Sequence, residues 1–293
     1  MSKPVLREPV GIVRARRTVE GGGFVVRRPF PTPEMSVFDP FLLLDEMGPV
    51  DYAPGKAVGA PDHPHRGFET VTYLLDGEFE HEDSAGHRGK LAAGDIQWMT
   101  AGRGVVHSEM PSARVREQGG RVHGFQIWVN LPARDKMTAP RYQDVTAARL
   151  PVATTPDGKA TVKVIAGSAL GVDAAVETRT PIEYFDVTLQ PGGRVVLPAP
   201  ASFNAAVYVF DGAARVGTDH DVESGGFVLL GEGDSVEVSN AADAKVPARL
   251  LVLGGEPLNE PVARYGPFVM NTEAEIHQAI RDYQSGNFGD IRR

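Results

Sequence analysis

Read for its apolar and polar positions, the chain falls into short runs of β-branched and aromatic residues separated by turn formers. TVTYLL (70–75), IQWMT (96–100), GVVHSEM (104–110) and GFQIWVNL (124–131) lie in the first half. TVKVIAG (161–167), IEYFDVTL (182–189), AAVYVF (205–210), GFVLL (226–230), DSVEVS (234–239) and RLLVLGG (249–255) follow. Each has strand length, and Asp-Gly or Gly-Asp pairs punctuate them, so the pattern predicts an all-β sandwich or barrel. One helix interrupts it. In NTEAEIHQAIRDYQSGNFG (271–289), Thr272 is an N-cap with Glu275 at the capping-box spacing, Ile276 and Ile280 share a face, and Gly286 ends the run. This predicts a short C-terminal helix on the outside of a β domain.

The runs also repeat. ETVTYLLDG (69–77) is followed by GDIQWMTAG (94–102), and NAAVYVFDG (204–212) by GDSVEVSNA (233–241). In both halves a strand ends at Tyr-x-x-Asp-Gly, and a Gly-Asp turn opens another after about twenty residues, which predicts two copies of one β unit. The boundary falls between PARDKMTAPRYQ (132–143) and TVKVIAG, giving an N-terminal domain over 1–140 and a C-terminal one over 141–293. Aligning the Asp-Gly turns sets His63 and His65 against Pro198 and Pro200. Aligning the Gly-Asp turns sets His107 and Glu109 against Val246 and Ala248. Whatever the first copy coordinates, the second lacks.

Composition narrows the chemistry. The 33 glycines and 23 prolines are spread along the 293 residues, as turns between many strands require. There is no cysteine, which excludes disulfides, thiolate metal sites and thiol nucleophiles, so a metal would need histidine, carboxylate or water. A net charge of −8 without a basic block argues against direct nucleic-acid binding. No segment approaches the roughly 20 apolar residues of a membrane span, and no signal-peptide core appears, so a soluble cytoplasmic protein is expected, nuclear if the source is eukaryotic. Neither a GxSxG elbow nor a GxxxxGK[ST] phosphate loop is present.

The histidines carry the remaining signal. On a strand, residues two apart point the same way, so His63 and His65 share a face, as do His107 and Glu109. Two such strands facing one interior would bring three imidazoles and one carboxylate together. The alternative is that His63 and His65 cap a strand beside Pro61 and Pro64, with His107 a hydrogen-bonded core residue. Two pairs at strand spacing, both missing from the second copy, favour the metal. His81 and His87, in EFEHEDSAGHRG, are expected in a solvated loop; His123 is expected at a strand edge, His220 in a polar loop and His277 on the helix.

HPHRGFE together with GDIQWMTAGRGVVHSEMP resembles the pirin family of the cupin superfamily. FDPFLLLDEMGPVDY (38–52), FQIWVNLP (125–132), VIAGSALG (164–171), GEGDSVEV (231–238) and YGPFVMNT (265–272) extend the resemblance over most of the chain. It implies two cupin (jelly-roll β-barrel) domains packed as a bicupin, with one metal held in the N-terminal domain by His63, His65, His107 and Glu109. Glu69, where cupins in general place a ligating glutamate, is expected beside the site instead. Imidazole plus carboxylate suits Fe(II), with Mn, Co, Ni, Cu or Zn as alternatives.

The resemblance further implies a quercetin 2,3-dioxygenase-type oxidoreductase that opens flavonols with O2 and releases CO, Glu109 serving as ligand and catalytic base. The alternative it leaves open is a non-catalytic, metal- and redox-sensing regulator that binds a transcription factor or metabolic enzyme. A monomer is expected. Arg66, Gln97, Trp98 and Met99 are candidates for the pocket wall.

Overall fold

The structure, a computed structural model, describes residues 3–20 and 23–293. The chain is mostly β and forms two cupin domains, with a short C-terminal helix. By contact, one compact unit comprises Arg16–Ala148 with Leu258–Arg293, and the other comprises Arg149–Pro257 with the segment up to Ala15. This differs from the contiguous division 1–140 and 141–293, and backbone pairing is the reason. Pro9–Arg14 pairs antiparallel with Gly226–Leu230, so the beginning of the chain supplies an edge strand to the later unit. At the other end, the Val269 amide donates to the Arg66 carbonyl, and Lys136 Nζ donates to the carbonyls of both Gly67 and Val269.

Each unit contains one seven-stranded and one four-stranded sheet, and every pairing between their strands is antiparallel. In the unit with the histidines, the large sheet runs in the order Arg141–Val145, Ile96–Thr100, Phe68–Asp76, Gly120–Asn130, Phe41–Tyr52, Phe24–Phe30, Arg16–Glu20. The small sheet runs Ala60–His65, Val105–Pro111, Glu78–Asp83, Arg88–Ala92. The other unit repeats the plan. Its large sheet runs Pro9–Arg14, Gly226–Leu230, Asn204–Asp211, Ala248–Gly255, Ile182–Leu189, Ala160–Ala166, Val152–Thr154; its small sheet runs Arg194–Pro198, Ser235–Ser239, Ala213–Val216, His220–Glu223.

This strand order corrects half of the turn-based alignment. The strand Ala60–His65 corresponds to Arg194–Pro198, close to where the Asp-Gly turns put it. Val105–Pro111, however, corresponds to Ser235–Ser239, and the strand opened by GDIQWM corresponds to Gly226–Leu230. Similar Gly-Asp turns open non-equivalent strands, because a turn reports a local change of direction and not a place in the sheet. Where the first unit has its histidines, the second has Val195, Leu197, Val236 and Val238, all buried in one apolar cluster with Val187, Val207 and Val252. The second copy's interior is filled.

The C-terminal helix spans Glu273–Gln284, and both halves of its capping box form between Thr272 and Glu275. Ile276 and Ala279 pack with Val106, Phe268, Met270 and Phe288. The helix thus braces the strand that carries His107.

Gly67, inside HPHRGFE, shows why that motif needs glycine. Its φ is +90°, and a Cβ there would lie 1.9 Å from the Val269 carbonyl oxygen. Both the left-handed backbone and the close approach exclude a side chain. Gly67→Ala is expected to destabilise the chain by about 3 kcal/mol or more. That would lower the thermal midpoint, followed by circular dichroism, by roughly 5–10 °C.

Candidate metal centre

Three of the predicted ligands converge. Antiparallel pairing sets His107 opposite His63 and Val105 opposite His65, and the pleat then turns all three rings toward one interior. Ring centroids are 4.6 Å apart for His63 and His65, 4.4 Å for His63 and His107, and 4.9 Å for His65 and His107. Taking one ring nitrogen from each, the ligand atoms lie within 4.8 Å of one another. His65 and His107 are buried, and His63 is half-buried.

Hydrogen bonding orients two of these rings. His63 Nδ1 lies 2.7 Å from the Pro61 carbonyl oxygen, and His65 Nδ1 lies 3.4 Å from that of Pro267. A carbonyl can only accept, so both Nδ1 atoms carry the proton and both Nε2 atoms keep a lone pair. Those Nε2 atoms are 3.0 Å apart, a repulsive arrangement unless a cation sits between them. His107 has no hydrogen-bond partner at either nitrogen although both are buried. Leaving such a group unsatisfied costs about 1–3 kcal/mol.

Burial first, and then the neighbouring imidazoles, hold His65 and His107 well below the ordinary histidine range. Neutral imidazoles with converging lone pairs, backbone-fixed tautomers and an orphaned nitrogen pair fit a divalent transition metal.

Glu109 stands next to the cluster without belonging to it. A register shift between His107 and Glu109 sets Glu109 opposite Ala60, a bulge that re-aims the strand at this point. The Thr72 hydroxyl lies 2.7 Å from Glu109 Oε1 and 2.8 Å from Gln126 Oε1. Its single proton serves one of these acceptors at a time. Glu69 is almost fully buried on Phe68–Asp76 and accepts a 2.6 Å hydrogen bond from Thr100.

The cluster opens on a cavity of about 620 Å³ lined by His63, His65, Thr72, Glu109, Gln126 and Trp128, with Leu43, Met47 and Phe79 among its apolar walls. Of the wall residues expected from sequence, none lines it. Arg66 Nε instead donates to the Arg103 carbonyl, its guanidinium pairs with Asp282 at 2.7 Å, and it stacks over Phe288. Trp98 and Met99 are core residues. Gln97 is buried beside His81, with its amide nitrogen 2.7 Å from the His81 Nε2.

His81 is the main correction among the histidines. It lies on the strand Glu78–Asp83 rather than in a loop, is 4% exposed, and faces Glu109 in register. Burial lowers its affinity for a proton, partly offset by Asp144, Glu109 and Asp83. It stacks against Tyr142 with ring planes 9° apart, and a Cβ at Gly89 would fall 2.3 Å from its ring. The charged run EFEHED hid this strand, because its inward positions are Phe79, His81 and Asp83. Burial alternates along the folded strand, but hydrophobicity does not alternate along its sequence.

His123, buried on Gly120–Asn130, bonds Glu46 Oε1 at 2.9 Å and does not join the cluster. His87, His220 and His277 are exposed, but His220 opens the strand His220–Glu223 rather than sitting in a loop. Sequence reasoning missed Thr72, Gln126 and Trp128, which carried no signal beyond ordinary strand positions.

Comparison with known proteins decides the family. The Pirin family model matches residues 23–129, and that of the Pirin C-terminal cupin domain matches 184–289. The chain belongs to the pirin family. A pirin-like protein of Solanum lycopersicum is 46% identical over 279 residues, covering 94% of this chain and 91% of that protein. The pirin of Homo sapiens is 45% identical over 283 residues, covering 94% and 92%. Among solved structures, a quercetin 2,3-dioxygenase from Acinetobacter baumannii superposes with a TM-score of 0.91 at 38% identity, over 98% of this chain and all of that one. This pirin has no helix, among its described residues, long and apolar enough to cross a membrane.

If the three histidines share one metal, His107→Ala removes a ligand and must weaken binding at least as much as loss of an outer partner, about 10–100-fold. Metal analysis of protein purified without added metal should then find the variant depleted and the parent loaded. Stabilisation by added metal, which follows RT ln(1 + [L]/Kd), should disappear with it. An unchanged metal content in the variant would show that the ion, if present, is held elsewhere.

Proposed function

We propose that this pirin is a metal-dependent dioxygenase that opens flavonols such as quercetin with O2 and releases CO. The observation that supports it best is the buried three-histidine cluster opening onto a cavity of about 620 Å³ with an aromatic and aliphatic wall. A cavity of that size suits a planar, drug-sized aromatic molecule. The similarity over the whole chain to a quercetin 2,3-dioxygenase adds weight to the reading.

On this reading His63, His65, His107 and Glu109 hold the metal, with iron(II) the first choice. Such an ion, when bound, acidifies a coordinated hydroxyl and supplies the redox capacity that the side chains lack. The protein's own residues do the rest. Glu109 takes the proton of the flavonol 3-hydroxyl. Thr72 donates to Glu109 Oε1, which fixes the carboxylate and leaves its second oxygen free for the metal and for the substrate proton. Gln126, beside Thr72, places an amide on the same wall of the cavity. The apolar walls exclude water from the substrate ring. The flavonol gains both atoms of O2 and loses one carbon as CO.

Iron-loaded protein incubated aerobically with quercetin should consume the flavonol with release of CO. Glu109→Gln should lower kcat by about 10²–10⁴-fold, as expected for removal of a general base. His107→Ala with full activity at normal metal content would sink the mechanism, and absence of CO from the parent protein would sink the reading as a whole.

A further inference from the structure

Among the charged side chains lining the cavity that the proposed chemistry does not use, Arg264 stands apart. Arg264 lies on the short strand Ala263–Tyr265, exposed, and lines the cavity that holds His63, His65 and Glu109. Its guanidinium carbon sits 4.7 Å above the Trp128 ring. That indole meets the His65 ring in a T-shaped contact, with centroids 5.2 Å apart and planes at 72°. One aromatic side chain therefore separates Arg264 from the cluster.

The other arginine of the cavity, Arg28, is already committed. It makes a bidentate pair with Asp45, at 2.6 Å for each bond, and an ion pair with Glu20 at 2.7 Å. Arg264 has no such partner. Among the described residues it makes no ion pair, and its hydrogen bond is a 3.4 Å contact from one terminal nitrogen to the Leu42 carbonyl. A guanidinium placed over an indole still has its N–H groups to offer in its own plane, where they match a carboxylate or phenolate oxygen.

We propose that Arg264 selects substrates bearing an anionic group, a carboxylate or an ionised phenol, on the part of the aromatic skeleton directed away from the histidines. This rests on the reading of the histidine cluster as the substrate centre, and it narrows the substrate class to anionic polyphenols and related aromatic acids. Trp128 has two tasks in this arrangement. It packs against His65 and also carries the guanidinium over its ring, so that anion recognition and the histidine cluster share one wall.

Binding measured without turnover tests this. The probes are 3-hydroxyflavone and its 4′-carboxy and 7-carboxy derivatives, titrated under argon into the metal-loaded protein while tryptophan fluorescence is followed. The parent protein should bind at least one carboxylated probe about tenfold more tightly than 3-hydroxyflavone, as expected for a charge-assisted bidentate contact. In Arg264→Gln that preference should fall below about twofold while the affinity for 3-hydroxyflavone stays constant. Arg264→Lys, which keeps the charge but loses the fork, should fall between. Metal content should match the parent in both variants.

A parent protein without preference for either carboxylate, or a Gln variant that keeps it, overturns the proposal. The readout is independent of catalysis. Loss of CO release with the charge preference intact would remove the dioxygenase reading alone.

Discussion

The pairing of Ala60–His65 with Val105–Pro111 is the constraint on which the centre depends. Setting His107 opposite His63 brings three imidazoles into one small space. A slip by one residue would turn one strand's rings to the other face and break the cluster. Much of the surrounding structure holds that register. Gly67 allows the chain to turn immediately after His65, and the C-terminal helix packs on Val106 between the ligand strand's inward residues. Carbonyls of Pro61 and Pro267 fix the histidine tautomers. The cost of burying neutral imidazoles with a nitrogen pair left unpartnered is carried by this scaffold, which suggests why the site is so strongly braced.

The two units show what happens when one scaffold is used twice. They share sheet orders strand for strand, yet the interior of one is polar where the other is aliphatic. Val195, Leu197, Val236 and Val238 occupy the second copy's equivalent strands. Apolar filling of that kind is the cheaper solution, since it leaves no donor or acceptor to satisfy. The first copy gives up that packing for three imidazoles.

How much of this was legible in the sequence depended on whether the signal was local. The grouping of His63, His65 and His107 could be found because strand periodicity is a local rule, whereas the register shift that sets Glu109 beside that cluster left no trace in spacing. The capping box of the helix, also set by a local rule, was legible too. The partner strand of Pro9–Arg14 was not, because pairing across more than two hundred residues leaves no trace in spacing. His81 was missed because its neighbours Glu80 and Glu82 are charged and point outward, so the strand reads as a solvated loop. Gln97 and Trp98, placed at the pocket wall from their nearness to the ligands in sequence, turn toward His81 and the core. Nearness along the chain is a poor guide to which face of a sheet a side chain uses.

The contact between His65 and Pro267 has a consequence for how such a protein is made. Arg66 also reaches across to Asp282 and Phe288, so the wall behind the paired histidines is built from residues far later in the chain. During synthesis the strands bearing all three imidazoles leave the ribosome long before residues 258–293 do. Until that segment arrives, the three imidazoles are present but one side of their pocket is missing. An assembled three-histidine cluster is thereby coupled to the arrival of residues 258–293, and a product truncated before them carries all three imidazoles while lacking the wall that orients them.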